Sequence, residues 1–131
     1  MKKVLSIKRL KKSFGYAING IDDVIGKEPN MKIHVCVAIL VVIMAFLLKI
    51  SMMEWIILTL LIGAVLAAET INTAIENLVD MYTKEYNEKA KIVKDTAAGT
   101  VLILAITASI IGLMIFIPKI ILVLERLWKI I

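Results

Sequence analysis

Two carboxylates and an amide, Glu69, Asn72 and Glu76, stand at helical spacing inside a strongly apolar part of this 131-residue chain. The stretch reads Glu69-Thr-Ile-Asn72-Thr73-Ala-Ile-Glu76-Asn-Leu-Val-Asp80. At about 100° per residue, Asn72, Thr73, Glu76 and Asp80 fall within roughly 60° of Glu69, so five polar groups share one helical face. An ionised carboxylate in hydrocarbon costs about 2.5–3.5 kcal/mol on insertion scales, so it must meet a partner, a metal ion or a proton. Polar glue between helices needs only one Asn or Thr. Two carboxylates with an amide between them have the form of a cation site. Mg²⁺ suits it, taking a few carboxylate oxygens, phosphate oxygens and water.

Further candidates flank this stretch. Glu28 precedes an apolar run in Glu28-Pro29-Asn30-Met31-Lys32-Ile33-His34, where it is either a ligand or an acid favoured by a helix dipole. Lys94-Asp95 opens another run. Asp95 reads as an N-cap for a helix beginning near Thr96. Lys94 gains nothing from that dipole and suits an anionic phosphate, which helix N-termini also attract. Glu85-Tyr86-Asn87-Glu88 offers polar groups at the same level. His34 reads as a hydrogen-bonding residue at headgroup level, and Cys36 as a lipid-facing or packing side chain.

These groups must be held by helices in a membrane. The chain is 60% hydrophobic, with one cysteine and a mean hydropathy of +0.91, against about 45–50% apolar residues in a soluble domain. That excludes a disordered chain and a disulfide framework. Three spans are expected, at about 31–50, 54–80 and 96–117, the last closed by Pro118, since a ~30 Å hydrocarbon core takes about 20 helical residues. Ahead of them, Val4, Ile7, Leu10, Phe14, Ala17, Ile18 and Ile21 form one apolar stripe, with Lys2, Lys3, Lys8, Arg9, Lys11 and Lys12 around it. Such a basic amphipathic helix lies in the membrane interface. The expected fold is therefore all-α: an integral membrane domain over 1–131, with three transmembrane helices and an N-terminal surface helix over 1–27.

Orientation follows from Lys and Arg. There are eight in residues 1–34 and four in 81–96, against one in 49–54 and three in 118–131. The positive-inside rule puts the N-terminus and the 81–96 loop in the cytoplasm of a cell-membrane protein. The net charge of +5 points to anionic lipid or phosphates before nucleic acid. Soluble nucleotide-binding signatures do not fit, for Ile21 stands where a Walker A loop after Gly15 and Gly20 needs Lys.

Glu69-x-x-Asn72-Thr-Ala74-Ile75-Glu76-x-x-Val79-Asp80, with Lys94-Asp95-x-Ala97-Ala-Gly99 after it, resembles the signature of the prokaryotic diacylglycerol kinase family. The likeness includes Gly15-Tyr16 and Gly20. It implies a homotrimer of three-span protomers that transfers the γ-phosphoryl of MgATP to a membrane lipid hydroxyl. By that resemblance Glu69 is the general base, Asn72 orients the site, and Glu28 and Glu76 hold the metal. Arg9, Tyr16, Asp80, Glu85, Tyr86, Asn87, Lys94 and Asp95 match nucleotide-contacting positions, with Asn87 departing from the family pattern. Small residues Gly63, Ala64, Ala67 and Ala68 would let second spans pack closely in an oligomer.

The run Glu28-x-Asn30-x-x-x-His34, with Glu54-Trp55 and Ile117-Pro118-Lys119, resembles the Gram-positive branch of the family, which implies undecaprenol as acceptor. Diacylglycerol is the alternative acceptor. A small ion- or proton-conducting subunit is the alternative outside enzymes, but it has no use for Lys94-Asp95 or Glu28.

Overall fold

The structure, a computed structural model, describes residues 7–129. Four helices follow one another: α1 (Ile7–Lys27), α2 (Pro29–Leu47), α3 (Met52–Tyr82) and α4 (Glu88–Trp128). No strand occurs among the described residues. The helices α2, α3 and α4 are each long and apolar enough to cross a membrane. The expected starts of the surface helix at Lys2, Lys3 and Val4 lie outside the described residues. Within them, α1 buries no residue. It exposes Ile7, Leu10, Phe14, Ile18 and Ile21, the stripe that the sequence assigns to a membrane interface.

Each connection has a local cause. Glu28 is extended (φ −92°, ψ 118°) because Pro29 follows it, and Pro29 starts α2 where its missing N–H costs nothing. The chain leaves α2 through a Schellman turn. Ile50 donates its N–H to the Ala45 carbonyl and Lys49 to that of Phe46, both at 3.2 Å, and Lys49 takes a left-handed φ of 49°. Ile50 then packs against Ala45 in a buried cluster with Leu58, Ile115 and Phe116. Ser51 begins α3 with a capping box: its hydroxyl accepts from the Glu54 N–H at 3.3 Å, and the Glu54 carboxylate accepts from the Ser51 N–H at 2.6 Å.

Two expectations about α4 are corrected. The helix starts at Glu88, not near Thr96, because the Asn87 side chain accepts from the Ala90 N–H at 3.1 Å and caps it there. Asp95 is therefore no N-cap, and Lys94 lies well inside the helix rather than at its N-terminus. Pro118 does not end the helix either, since α4 continues to Trp128. A mid-helix proline costs about 3 kcal/mol through its missing N–H and its ring.

α3 packs chiefly on α4, with α2 alongside and α1 crossing the end where α2 begins. The buried cluster of Ala45, Ile50, Leu58, Ile115 and Phe116 fills the half of the bundle near the α2–α3 turn. In the other half, Glu69, Asn72 and Thr73 are buried alongside Met31, Val65, Ala97 and Val101. The fold thus separates an apolar half from one with a polar interior.

Candidate active site

Glu69 lies fourteen residues beyond Trp55, about 21 Å along α3 at ~1.5 Å per residue. It is 2% exposed, and Asn72 one turn on is 5% exposed. Burial of α3 against α4 withdraws this face from lipid, as the shared face of the sequence motif requires. The polar row is graded: Glu69, Asn72 and Thr73 are buried, Glu76 is half-buried, and Asp80 is exposed. The carboxylates therefore run from the bundle interior out to the surface at the α3–α4 loop.

Hydrogen bonds fix part of this row. Asn72 Nδ2 donates to Glu76 Oε1 at 3.0 Å, which orients both side chains. The Thr73 hydroxyl donates back to the Glu69 carbonyl at 3.0 Å, and Thr70 to that of Leu66 at 2.8 Å, so neither hydroxyl is spent on the Glu69 carboxylate. Asn72 Oδ1 is buried without a hydrogen-bond partner. An orphaned oxygen of that kind calls for a cation or a bound water, because an unpaired buried polar atom is costly.

Glu28, His34 and Glu76 are further ionisable groups on the α2–α3 side of the bundle in this half. Glu28 arrives as the residue just before α2, and His34 from the second turn of that helix. On α3 the structure joins Asn72 to Glu76 directly, and Glu28 stands at the cap position of α2. His34, expected at headgroup level, lines the apolar groove between α2, α3 and α4. That position depends on how α2 leans on α3, which no local pattern encodes. Among the described residues, no three His, Cys, Asp or Glu side chains converge closely enough to hold a metal by themselves.

Lys94 donates to Asp80 across the α3–α4 loop. The pair sets an ammonium at the surface end of the polar row, although by reach from inside α4 and not from a helix N-terminus. Asp95 faces away and meets Lys91 at 3.9 Å. Arg9, Tyr16, Glu85 and Tyr86 are exposed, and Asn87 is engaged as a cap. None of these is drawn into the buried row.

From the level of His34, an apolar groove of about 570 Å³ runs between α2, α3 and α4. Val37, Val41 and Met44 line it from α2, Leu58, Ile62 and Val65 from α3, and Ala105, Gly112 and Phe116 from α4. Its polar lining is confined to His34 and Ser109, and the Ser109 hydroxyl is turned onto the Ala105 carbonyl at 2.8 Å. At the far end Lys119 pairs with Glu54 at 3.1 Å, a contact between residues far apart in the chain that joins α4 to the first turn of α3. A hydrocarbon chain lying in the groove would have its head at the His34 level, beside the carboxylates.

The model of the family described as prokaryotic diacylglycerol kinase matches residues 15–116. The chain is 43% identical over 113 residues to the undecaprenol kinase of Bacillus subtilis (strain 168), spanning 86% of this chain and 92% of that one. It is 37% identical over 107 residues to the diacylglycerol kinase of Synechocystis sp., spanning 81% of this chain but 61% of that one. With a carboxylate row that begins at the buried Glu69, three helices long and apolar enough to cross a membrane and a match over most of its length, the chain belongs to the prokaryotic diacylglycerol kinase family.

Proposed function

We propose that this protein is an undecaprenol kinase, transferring the γ-phosphoryl of ATP to the lipid hydroxyl and releasing ADP and undecaprenyl phosphate. One observation carries the reading: the buried Glu69 stands beside an apolar groove, in a chain that shares 43% identity with an undecaprenol kinase over 92% of that enzyme. Glu69 accepts the proton of the lipid hydroxyl as its oxygen attacks the γ-phosphorus and the bond to ADP breaks. Asn72 holds Glu76 and orients the row. A carboxylate is a weak base for an alcohol, so most of the rate comes from alignment of the reactants.

The residues present fit Mg²⁺. Glu28 and Glu76 supply hard carboxylate oxygens, and Asn72 Oδ1 is a buried oxygen still without a partner. One or two carboxylates suffice when substrate phosphates and water complete the shell. Bound there, Mg²⁺ neutralises charge on the transferring phosphates. Lys94 adds a positive charge at the surface end, and Asp80 holds it in place. Arg9, Tyr16, Glu85, Tyr86, Asn87 and Asp95 complete the nucleotide contacts in this proposal. The N-terminus and the 81–96 loop face the cytoplasm, where ATP is, by the positive-inside rule. The working unit is a homotrimer.

Mixed micelles with labelled ATP and equal mole fractions of undecaprenol and diacylglycerol test the acceptor. Label is expected mainly in undecaprenyl phosphate. Label mainly in phosphatidic acid would support the diacylglycerol alternative and leave the kinase assignment standing.

A further inference from the structure

α4 is longer than a membrane requires. Its 41 residues span about 62 Å at ~1.5 Å each, against about 40–45 Å for a bilayer with its headgroups. The excess at the N-terminal end, Glu88–Thr96, is polar and needs no cover. The excess at the C-terminal end is the opposite. Beyond Lys119, the chain reads Ile-Ile-Leu-Val-Leu-Glu-Arg-Leu-Trp128, and every one of these side chains is exposed.

The starting depth of this arm is pinned. Lys119 meets Glu54 at 3.1 Å, and Glu54 belongs to the capping box that opens α3 after the α2–α3 turn. Lys119 is thus held at the membrane surface opposite Glu69. The nine residues after it would stand in water if α4 ran straight on. Their pattern argues against that. On a helical wheel, Ile120, Ile121, Val123, Leu124, Leu127 and Trp128 fill an arc of roughly 160°, while Glu125, Arg126 and Lys129 share the other side with Leu122. A broad apolar arc with Trp and Leu, backed by Lys and Arg, is the pattern of a helix lying in an interface. A seam between copies of the chain would be narrower. Pro118 is the place where α4 can turn, because it cannot donate to the Met114 carbonyl and helices kink where that bond is missing.

We propose that Ile120–Trp128 is a second interfacial arm, turned at Pro118 onto the membrane face opposite Glu69, with lipid covering its apolar side. Together with α1, it would hold the bundle by amphipathic helices at both surfaces.

The test uses the full chain in lipid vesicles, with Cys36→Ala to remove the native thiol and single cysteines at positions 120–128 carrying a nitroxide. Accessibility to oxygen and to an aqueous nickel chelate is read at each position. Oxygen access is expected to peak at Ile120, Leu124 and Leu127 and chelate access at Glu125 and Arg126, the ratio differing roughly fivefold between Leu124 and Arg126 as for an interfacial helix. Chelate access at every position would place the arm in water and overturn the proposal. Low access to both reagents at the apolar positions, with spin–spin broadening, would show a second copy there and overturn it equally.

Discussion

At the scale of single residues, the site divides by what each side chain is free to do. Asn72 and Glu76 are committed to each other at 3.0 Å, whereas the Glu69 carboxylate has no hydrogen bond from the neighbouring Thr70 and Thr73, whose hydroxyls turn to backbone carbonyls. That leaves Glu69 able to receive a proton. Glu69→Gln keeps the size and removes that ability, so nucleotide binding should survive while lipid phosphorylation falls by roughly 10²-fold or more. A rate within threefold of the parent would remove Glu69 from the proposed mechanism. Glu28→Gln and Glu76→Gln each delete a charged oxygen, and each should raise the Mg²⁺ concentration for half-maximal rate. Titrating Mg²⁺ at fixed ATP checks this, and an unchanged curve in both variants places the metal elsewhere. The carboxylate row was legible because helical spacing alone puts it on one face. The Asp80–Lys94 and Glu54–Lys119 pairs were not, since each depends on where two helices meet.

At the scale of elements, local signals and long-range packing contribute differently. The three spans are legible because hydrocarbon demands long apolar runs, and the sequence has three. Their ends are less so. Ser51-x-x-Glu54 is a capping box that sequence can show, and it moves the start of α3 from the expected 54 to Met52. Lys49 gives no warning of its left-handed turn, because a glycine is the usual signal there. Pro118 misleads in the other direction, since α4 runs on past it to Trp128. Ser51→Ala should cost about 1 kcal/mol, visible as a lower midpoint in thermal unfolding in detergent with activity per folded molecule unchanged. The groove makes a sharper demand. Gly112 lines it, and a Cβ there meets nothing within 4 Å, so Gly112→Leu can fold while filling the groove. Phosphorylation of undecaprenol should fall about tenfold, equivalent to ~1.4 kcal/mol, while a short-chain alcohol is still accepted. Equal loss on both acceptors would mean the tail lies outside the groove.

At the scale of the whole molecule, one protomer leaves much unsatisfied. Its buried interior is thin and α3 still exposes small residues, Gly63 and Ala67 among them, at the four-residue spacing that allows close helix contact. In hydrocarbon there is no hydrophobic drive to hide such a stripe, so its value lies in letting another helix backbone approach closely. This face of α3 is the surface we assign to the contact between protomers. Gly63 isolates the question, because a Cβ built on it meets nothing within 4 Å in its own chain. A leucine there should leave the protomer's helices intact by circular dichroism, and any consequence must come from a neighbouring chain. If the proposed trimer meets along this stripe, Gly63→Leu shifts the native mass in detergent from three copies of the 14.6 kDa chain towards one. Ala67→Leu, one turn along the same face, should act likewise. Glycines elsewhere give the contrast: Gly26, also with open space around a Cβ, sits near the end of α1, and Gly26→Ala should leave the mass unchanged. If Gly63→Leu and Ala67→Leu both keep the parental mass, the protomers do not meet along this stripe.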